Sequence, residues 1–170
     1  MLNLRTDRGL NEALSCGVAS RSPKWPKVQK AHLKIEPICA CCKPGENASA
    51  SLQVHHKFPF HYCVALGRPD LELDQRNLIT LCETTKDRPA PDHHLLVGHL
   101  GDFKSTNLNV KTDVTTFNGM SEQQIKTDPR WKTDEKGRLK PLNEMSMDEK
   151  NAFVELMNST FPKIEKTLNE

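Results

Sequence analysis

Aromatic residues are scarce in this 170-residue chain, at 5%, and hydrophobic residues reach only 36%. A core built from so little apolar material commonly needs a bound metal to supplement it. No run approaches the roughly 18 consecutive apolar residues of a membrane span. The opening MLNLRTDRGLNEALSCG scatters charge where a secretory signal would be apolar. The expectation is a soluble, cytoplasmic protein with no membrane association. The chain also lacks internal repeats, low-complexity tracts and any large charge excess, since 24 basic and 22 acidic residues leave a net charge of +2.

The distribution of charge says more than its sum. Arg21, Lys24, Lys27, Lys30 and Lys34 follow one another with no acidic residue between them. Such a stretch suits phosphate contacts, and it is equally what a solvated helix face looks like. The six cysteines are uneven: Cys39, Cys41 and Cys42 sit together, whereas Cys16, Cys63 and Cys82 are apart. In a cytoplasmic protein this pattern argues for metal ligands before disulfides.

Residues 1–20 read as a weakly ordered N-terminal arm. Ser22 and Pro23 resemble an N-cap followed by a first-turn proline. Trp25, Val28, Ala31 and Ile35 then recur at roughly helical spacing until Pro37. Residues 45–51 read as a small polar turn. Residues 52–59 and 77–81 look extended and are separated by a loop containing Gly67, Arg68 and Pro69. DRPAPD, residues 87–92, cannot be regular structure. HHLLVGHL, from His93, predicts a short helix that ends or weakens at Gly98. Residues 111–145 read as a long excursion that wraps the core or is partly mobile. A last helix begins at Ser146, which forms a capping box with Glu149, and Phe153, Leu156, Met157 and Phe161 give it an apolar face that packs on the main domain.

Three pieces carry chemistry. Cys39-x2-Cys42 can grip one zinc ion from a tight turn. Val54-His55-His56 is followed by Asn77-Leu78-Ile79-Thr80-Leu81-Cys82. His93-His94 has His99 close behind it. The segments RSPKWPKVQKAHLKIEPICACC, VHHKFPF, LELDQRNLITLC and HHLLVGHLGDFKS, taken in that order, resemble the HNH endonucleases, over about residues 21–110. The resemblance implies an α+β fold. Its core would be a ββα-metal unit, two antiparallel strands and one helix around a single catalytic ion. A zinc knuckle, an N-terminal basic helix and a C-terminal helical extension over 111–170 would complete it.

Carried over by position, the resemblance makes His55 a ligand of the catalytic ion, His56 the general base, Asn77 the central asparagine and His94 the final histidine and second ligand. Neighbours on a strand point to opposite sides, so His55 and His56 need local distortion or a wide site to serve one centre. Asn77 can fix a hairpin through its amide or orient His56, and several relatives use it as a ligand. His99 lies five residues after His94. On a regular helix that is about 500°, or about 140° around the axis, so its ring joins the ion only if Gly98 permits a bend. His61 reads as a loop or phosphate contact and His32 as a helix-packing residue. Where many relatives carry a second C-x2-C pair, Cys82 is followed by Glu83, Thr84 and Thr85. Similar relatives delay the fourth ligand to the position before the final histidine, which implies a structural zinc on Cys39, Cys42, Cys82 and His93, with Cys41 as a competitor.

The function implied is hydrolysis of DNA phosphodiester bonds by a one-metal mechanism, leaving 5′-phosphate and 3′-hydroxyl ends. The ion is magnesium, manganese, nickel or zinc. The partner would be DNA, double-stranded, with Lys24, Lys27, Lys30 and Lys34 on its backbone and modest sequence specificity. Phage DNA processing, mobile-element cleavage, restriction and antibacterial toxicity, the last with an immunity protein, all use this site type. The alternative is a non-catalytic, zinc-stabilised nucleic-acid-binding module, which would keep the cysteines and the basic helix without needing His56.

Overall fold

A computed structural model describes residues 21–46, 50–136 and 139–164. The expected arm over 1–20, with Cys16, lies outside the described residues, as does part of the 45–51 turn. The architecture is α+β: short helices packed around one two-stranded antiparallel sheet. Among the described residues no helix is long and apolar enough to cross a membrane.

Helix α1 spans Trp25–Ile35 and carries Pro26 in its first turn, where a missing N–H costs nothing. It starts later than Ser22 and Pro23 predict. Ser22 instead closes the turn before it, its carbonyl accepting from Trp25 N at 2.9 Å and its hydroxyl from Lys24 N at 3.2 Å. Trp25 and His32 are buried, while Ile35, expected on the same stripe, is 70% exposed. At 100° per residue His32 lies about 20° from Trp25 around the axis and Ile35 about 80°, so the histidine takes the inward place. That bears out His32 as a packing residue.

Strands β1 (Ser51–His56) and β2 (Leu78–Glu83) pair in a register that sets Leu52 opposite Cys82, His55 opposite Ile79 and His56 opposite Leu78. Because side chains alternate along a strand, the sheet has two distinct faces. Val54, His56 and Leu78 look toward α1, where Val54 and Leu78 pack with Trp25. His55, Ile79 and Leu81 look the other way, toward a π-helical turn at His94–Gly98. This turn is the short helix expected after His93, and it ends at Gly98 as expected.

The connection between the strands is more ordered than the loop predicted for it. Helix α2 (Phe60–Ala65) and two 3₁₀ turns (Pro69–Glu72 and Gln75–Asn77) fill it. His61 therefore sits on a helix, exposed, and not in a loop.

The segment after Val110 takes the first of its two expected forms, though its helices were not anticipated. It wraps the core as three short helices, α3 (Val110–Thr116), α4 (Glu122–Thr127) and α5 (Pro129–Lys136). Val110, Val114, Phe117, Ile125 and Trp131 join one buried cluster with Cys39, Cys42, Leu81, Cys82 and Leu96. Trp131 Nε1 donates to Leu96 O at 2.9 Å, tying α5 to the π-turn. Helices of six to eight residues are too short to show a period. The readable signal was the capping box of Ser121 and Gln124.

Helix α6 (Met147–Thr160) has the capping box expected of Ser146 and Glu149. Phe153 and Met157 are buried with Phe58, Tyr62, Cys63 and Leu71 in a second cluster. Phe161 packs against it, whereas Leu156 is 42% exposed.

If the helices after Val110 belong to the core, Phe117→Ala should cost about 3–5 kcal/mol through transfer and cavity terms. A urea titration reads this directly. A change below about 0.5 kcal/mol, the range of surface substitutions, would remove the segment from the core.

Candidate metal centres

Cys39 and Cys42 sit on the turn after α1, where Cys42 N donates to Cys39 O at 3.2 Å. Ala40 N donates to Thr80 O at 2.9 Å and stitches this turn to β2. Cys82 lies near the end of β2, and His93 immediately precedes the π-turn. The four side chains are buried and meet: His93 Nδ1 lies 3.4 Å from Cys39 Sγ, 3.5 Å from Cys42 Sγ and 3.2 Å from Cys82 Sγ, and the Sγ atoms of Cys42 and Cys82 are 3.8 Å apart. Zinc with Zn–S bonds of about 2.3 Å and a Zn–N bond of about 2.0 Å has tetrahedral edges of about 3.8 Å between sulfurs and about 3.5 Å from sulfur to nitrogen. The cluster already has these dimensions, so it can hold a metal such as zinc.

The electrostatics agree. Hydrogen bonds from Cys42 and Cys82 hold the Cys39 thiol far below its ordinary value, to about 3. The same contact with Cys39, then with Cys42, pushes Cys82 up. Cys41, the competitor, is buried but outside the group, and burial followed by the charge of Cys39 and Cys42 pushes its thiol up.

A second group forms on the other face of the sheet. His55, His94 and His99 bring one nitrogen each to within 4.8 Å of the others. Ring centroids are 5.4 Å apart for His55 and His94, 4.8 Å for His55 and His99, and 5.0 Å for His94 and His99. His99 thus joins a group that regular helical geometry would deny it. The reason is the π-turn, which accommodates one extra residue so that i and i+5 share a face. Leu100 (φ 52°) and Gly101 (φ 81°) then close the turn, with Gly101 N donating to Leu95 O at 2.9 Å.

The outer partners of these rings orient them. His99 Nδ1 lies 2.9 Å from Ser105 O, an acceptor only, so Nδ1 carries the hydrogen and Nε2 the lone pair. His94 Nδ1 faces Glu83 Oε1 at 3.4 Å, and the other Glu83 oxygen accepts from Gln53 Nε2 at 2.6 Å. His55 Nε2 is buried without a hydrogen-bond partner among the described residues. Such carboxylate and carbonyl backing is what metal-bound imidazoles ordinarily have. Burial holds His55 well below its ordinary pKa, with the neighbouring His99 and His94 adding to it, and burial also lowers His99. These two rings are neutral near pH 7, the form that binds a metal. Gly98 makes room for them. A Cβ there would lie 3.1 Å from His55 Cε1, His55 Nδ1 and Leu81 Cδ1.

His56 stands apart from this group, on the α1 face. Its ring stacks on Trp25 with centroids 4.6 Å apart, and its Nε2 donates to Glu72 O at 3.0 Å, leaving Nδ1 as the acceptor. Burial lowers its pKa to about 4, the Glu72 carbonyl opposes that, and the charge of Arg21 adds to it. Asn77 is fully buried and saturated: Nδ2 donates to Phe58 O and Leu71 O, both at 3.0 Å, and Oδ1 accepts from Phe58 N at 2.8 Å. It fixes the backbone just beyond His56 by bonding both the N–H and the carbonyl of Phe58, which matches the hairpin-fixing role among those expected of it. Lys24, Lys27, Lys30 and Lys34 project from the exposed side of α1. Sequence reasoning missed the parts of Glu83, Glu72 and Ser105, which depend on contacts that spacing alone does not reveal.

No family model, curated protein or solved structure matches this chain.

Two outcomes follow from the geometry. Cys39→Ser should lower the melting temperature and release one equivalent of zinc, because ligand loss forfeits metal-coupled folding energy. An unchanged melt, with no zinc in the parent by elemental analysis, would defeat the structural site. Gly98→Ala should weaken nickel or zinc binding at the three imidazoles by at least about tenfold, by crowding His55, at little cost in stability because alanine favours helix by about 1 kcal/mol. Calorimetric titration of the zinc-replete protein measures this, and equal affinities would refute the close approach.

Proposed function

We propose that the chain is a metal-dependent endonuclease of the ββα-metal type acting on double-stranded DNA, leaving 5′-phosphate and 3′-hydroxyl ends. The observation that carries this reading is the convergence of His55, from the first strand of a hairpin, with His94 and His99, from the helical turn after its second strand. The order strand, strand, helix and the placement of His56 beside His55 fit the HNH pattern.

In the reaction each residue has a distinct part. His55, His94 and His99 would hold one divalent ion, which supplies positive charge for a non-bridging phosphate oxygen and the leaving 3′ oxygen. His56 Nδ1 accepts the proton of the attacking water while Nε2–H stays on the Glu72 carbonyl. The stack on Trp25 holds the ring plane. Asn77 locks the chain at Phe58, so the strand end that presents His56 does not sway. The phosphate must lie across that end, since the two adjacent histidines use opposite faces of β1.

The donor set also narrows the metal. Three imidazoles suit nickel or zinc better than magnesium or manganese, which prefer hard oxygen ligands.

The test is nicking of supercoiled plasmid with each ion and with EDTA. The parent should cleave best with a transition metal and stop with EDTA. His56→Ala should lose about 100-fold or more while still binding the ion by calorimetry. A parent that binds duplex but nicks it with none of these ions would leave the zinc-stabilised binding module as the better account.

A further inference from the structure

We propose that Arg21 grips a phosphodiester of the substrate beside His56, presented on a shelf made by Trp25 and Phe60. This rests on the nuclease reading above and adds a phosphate contact that neither the lysines of α1 nor the imidazole group supplies.

Arg21 is exposed as a residue while its guanidinium is partly covered by two rings, with Cζ 4.6 Å from the centroid of the Trp25 ring and 4.6 Å from that of Phe60. The same two rings flank His56, at 4.6 Å and 6.3 Å between centroids. Glu72 adds a second link. Its carboxylate accepts from Ser22 N at 3.0 and 3.2 Å, pinning the backbone next to Arg21, and its carbonyl accepts from His56 Nε2 at 3.0 Å. Arg21 and His56 are therefore held relative to each other through one acidic residue and one aromatic pair.

Three other arginines among the described residues are engaged differently. Arg68, Arg76 and Arg130 each pair with a carboxylate two residues away, Asp70, Asp74 and Asp128, at 2.8, 2.6 and 2.7 Å. The Arg21 fork rests on aromatic faces, and the nearby Glu72 carboxylate is occupied by a backbone N–H. A stacked guanidinium keeps its in-plane N–H groups available for two parallel bonds to a phosphate. A lysine at this place would offer charge without the fork or the stack.

The experiment uses the full chain with zinc and a fluorescent 20-base-pair duplex. Binding is measured against salt in His56→Ala, alone and combined with Arg21→Met or Arg21→Lys, and cleavage in the parent, Arg21→Met and Arg21→Lys. Methionine keeps much of the stacked length without charge. Expected are a fall of about 0.9 in the log–log salt slope, the share of one phosphate contact, and a loss in Arg21→Met of about 10- to 100-fold in kcat/KM. The melting temperature should not change. Arg21→Lys should keep the slope and recover part of the cleavage. Slope and cleavage equal to the parent's overturn the proposal, and so does lost cleavage with a lowered melting temperature and an unchanged slope, which would assign Arg21 to packing. A parent that binds but never cleaves defeats the nuclease reading alone, and the slope still decides Arg21. A parent that binds no duplex defeats both.

Discussion

Cys82 and Glu83 are neighbours on β2, and His93 and His94 are neighbours at the start of the π-turn. Each pair sends one side chain to the thiol cluster and the next to the imidazole group. The junction between β2 and the turn therefore belongs to two centres at once. A hairpin of two six-residue strands is marginal by itself in water. What fixes the turn against it is the contact of Cys39, Cys42 and Cys82 with His93, supported by a thin apolar layer of Leu81, Leu96 and Trp131. Zinc in the thiol cluster would convert that contact into folding energy. The position of His94 against Glu83 would then follow from a bond formed one residue away.

The legible parts of this arrangement were those carried by residue type at fixed spacing. Cys39, Cys42, Cys82 and His93 were expected as one set, and they meet at dimensions suited to zinc. His55 and His94 were expected to share a centre, and they lie together. His99 was not secure, because the angular argument against it assumes 3.6 residues per turn. An extra residue in a single turn leaves no periodic trace, and the hint in the sequence was Gly98 beside it. Glu83 read as the residue that broke a second cysteine pair, so its role behind His94 was hidden. Helices α3 to α5 were missed for a related reason: their apolar residues, such as Val110, Val114, Phe117 and Ile125, are spread over segments shorter than the window in which amphipathicity shows. On α1 the stripe was misread at two positions, since Ala31 and Ile35 are exposed and a buried histidine, His32, takes the inward place.

The two faces of β1 differ in electrostatic character. On one, His55 is surrounded by other imidazoles and buried without a partner for Nε2 among the described residues. On the other, His56 is bounded by an aromatic ring and a carbonyl, with the charge of Arg21 nearby. If phosphate chemistry takes place here, the first face offers ligands for a cation and the second a neutral base beside a fixed positive charge. In the proposed reaction the strand would keep His56 from being captured as a fourth ligand, an outcome that two flexible histidines on a loop would not prevent. It also requires a rigid exit from β1, because the substrate must bridge both faces there. Asn77 supplies that rigidity: three hydrogen bonds from one buried amide tie the chain at Phe58 and Leu71. Removing the amide would leave buried backbone groups unpaired, each costing about 1–3 kcal/mol. The reaction centre would lose its alignment even with every ligand and the base still in place.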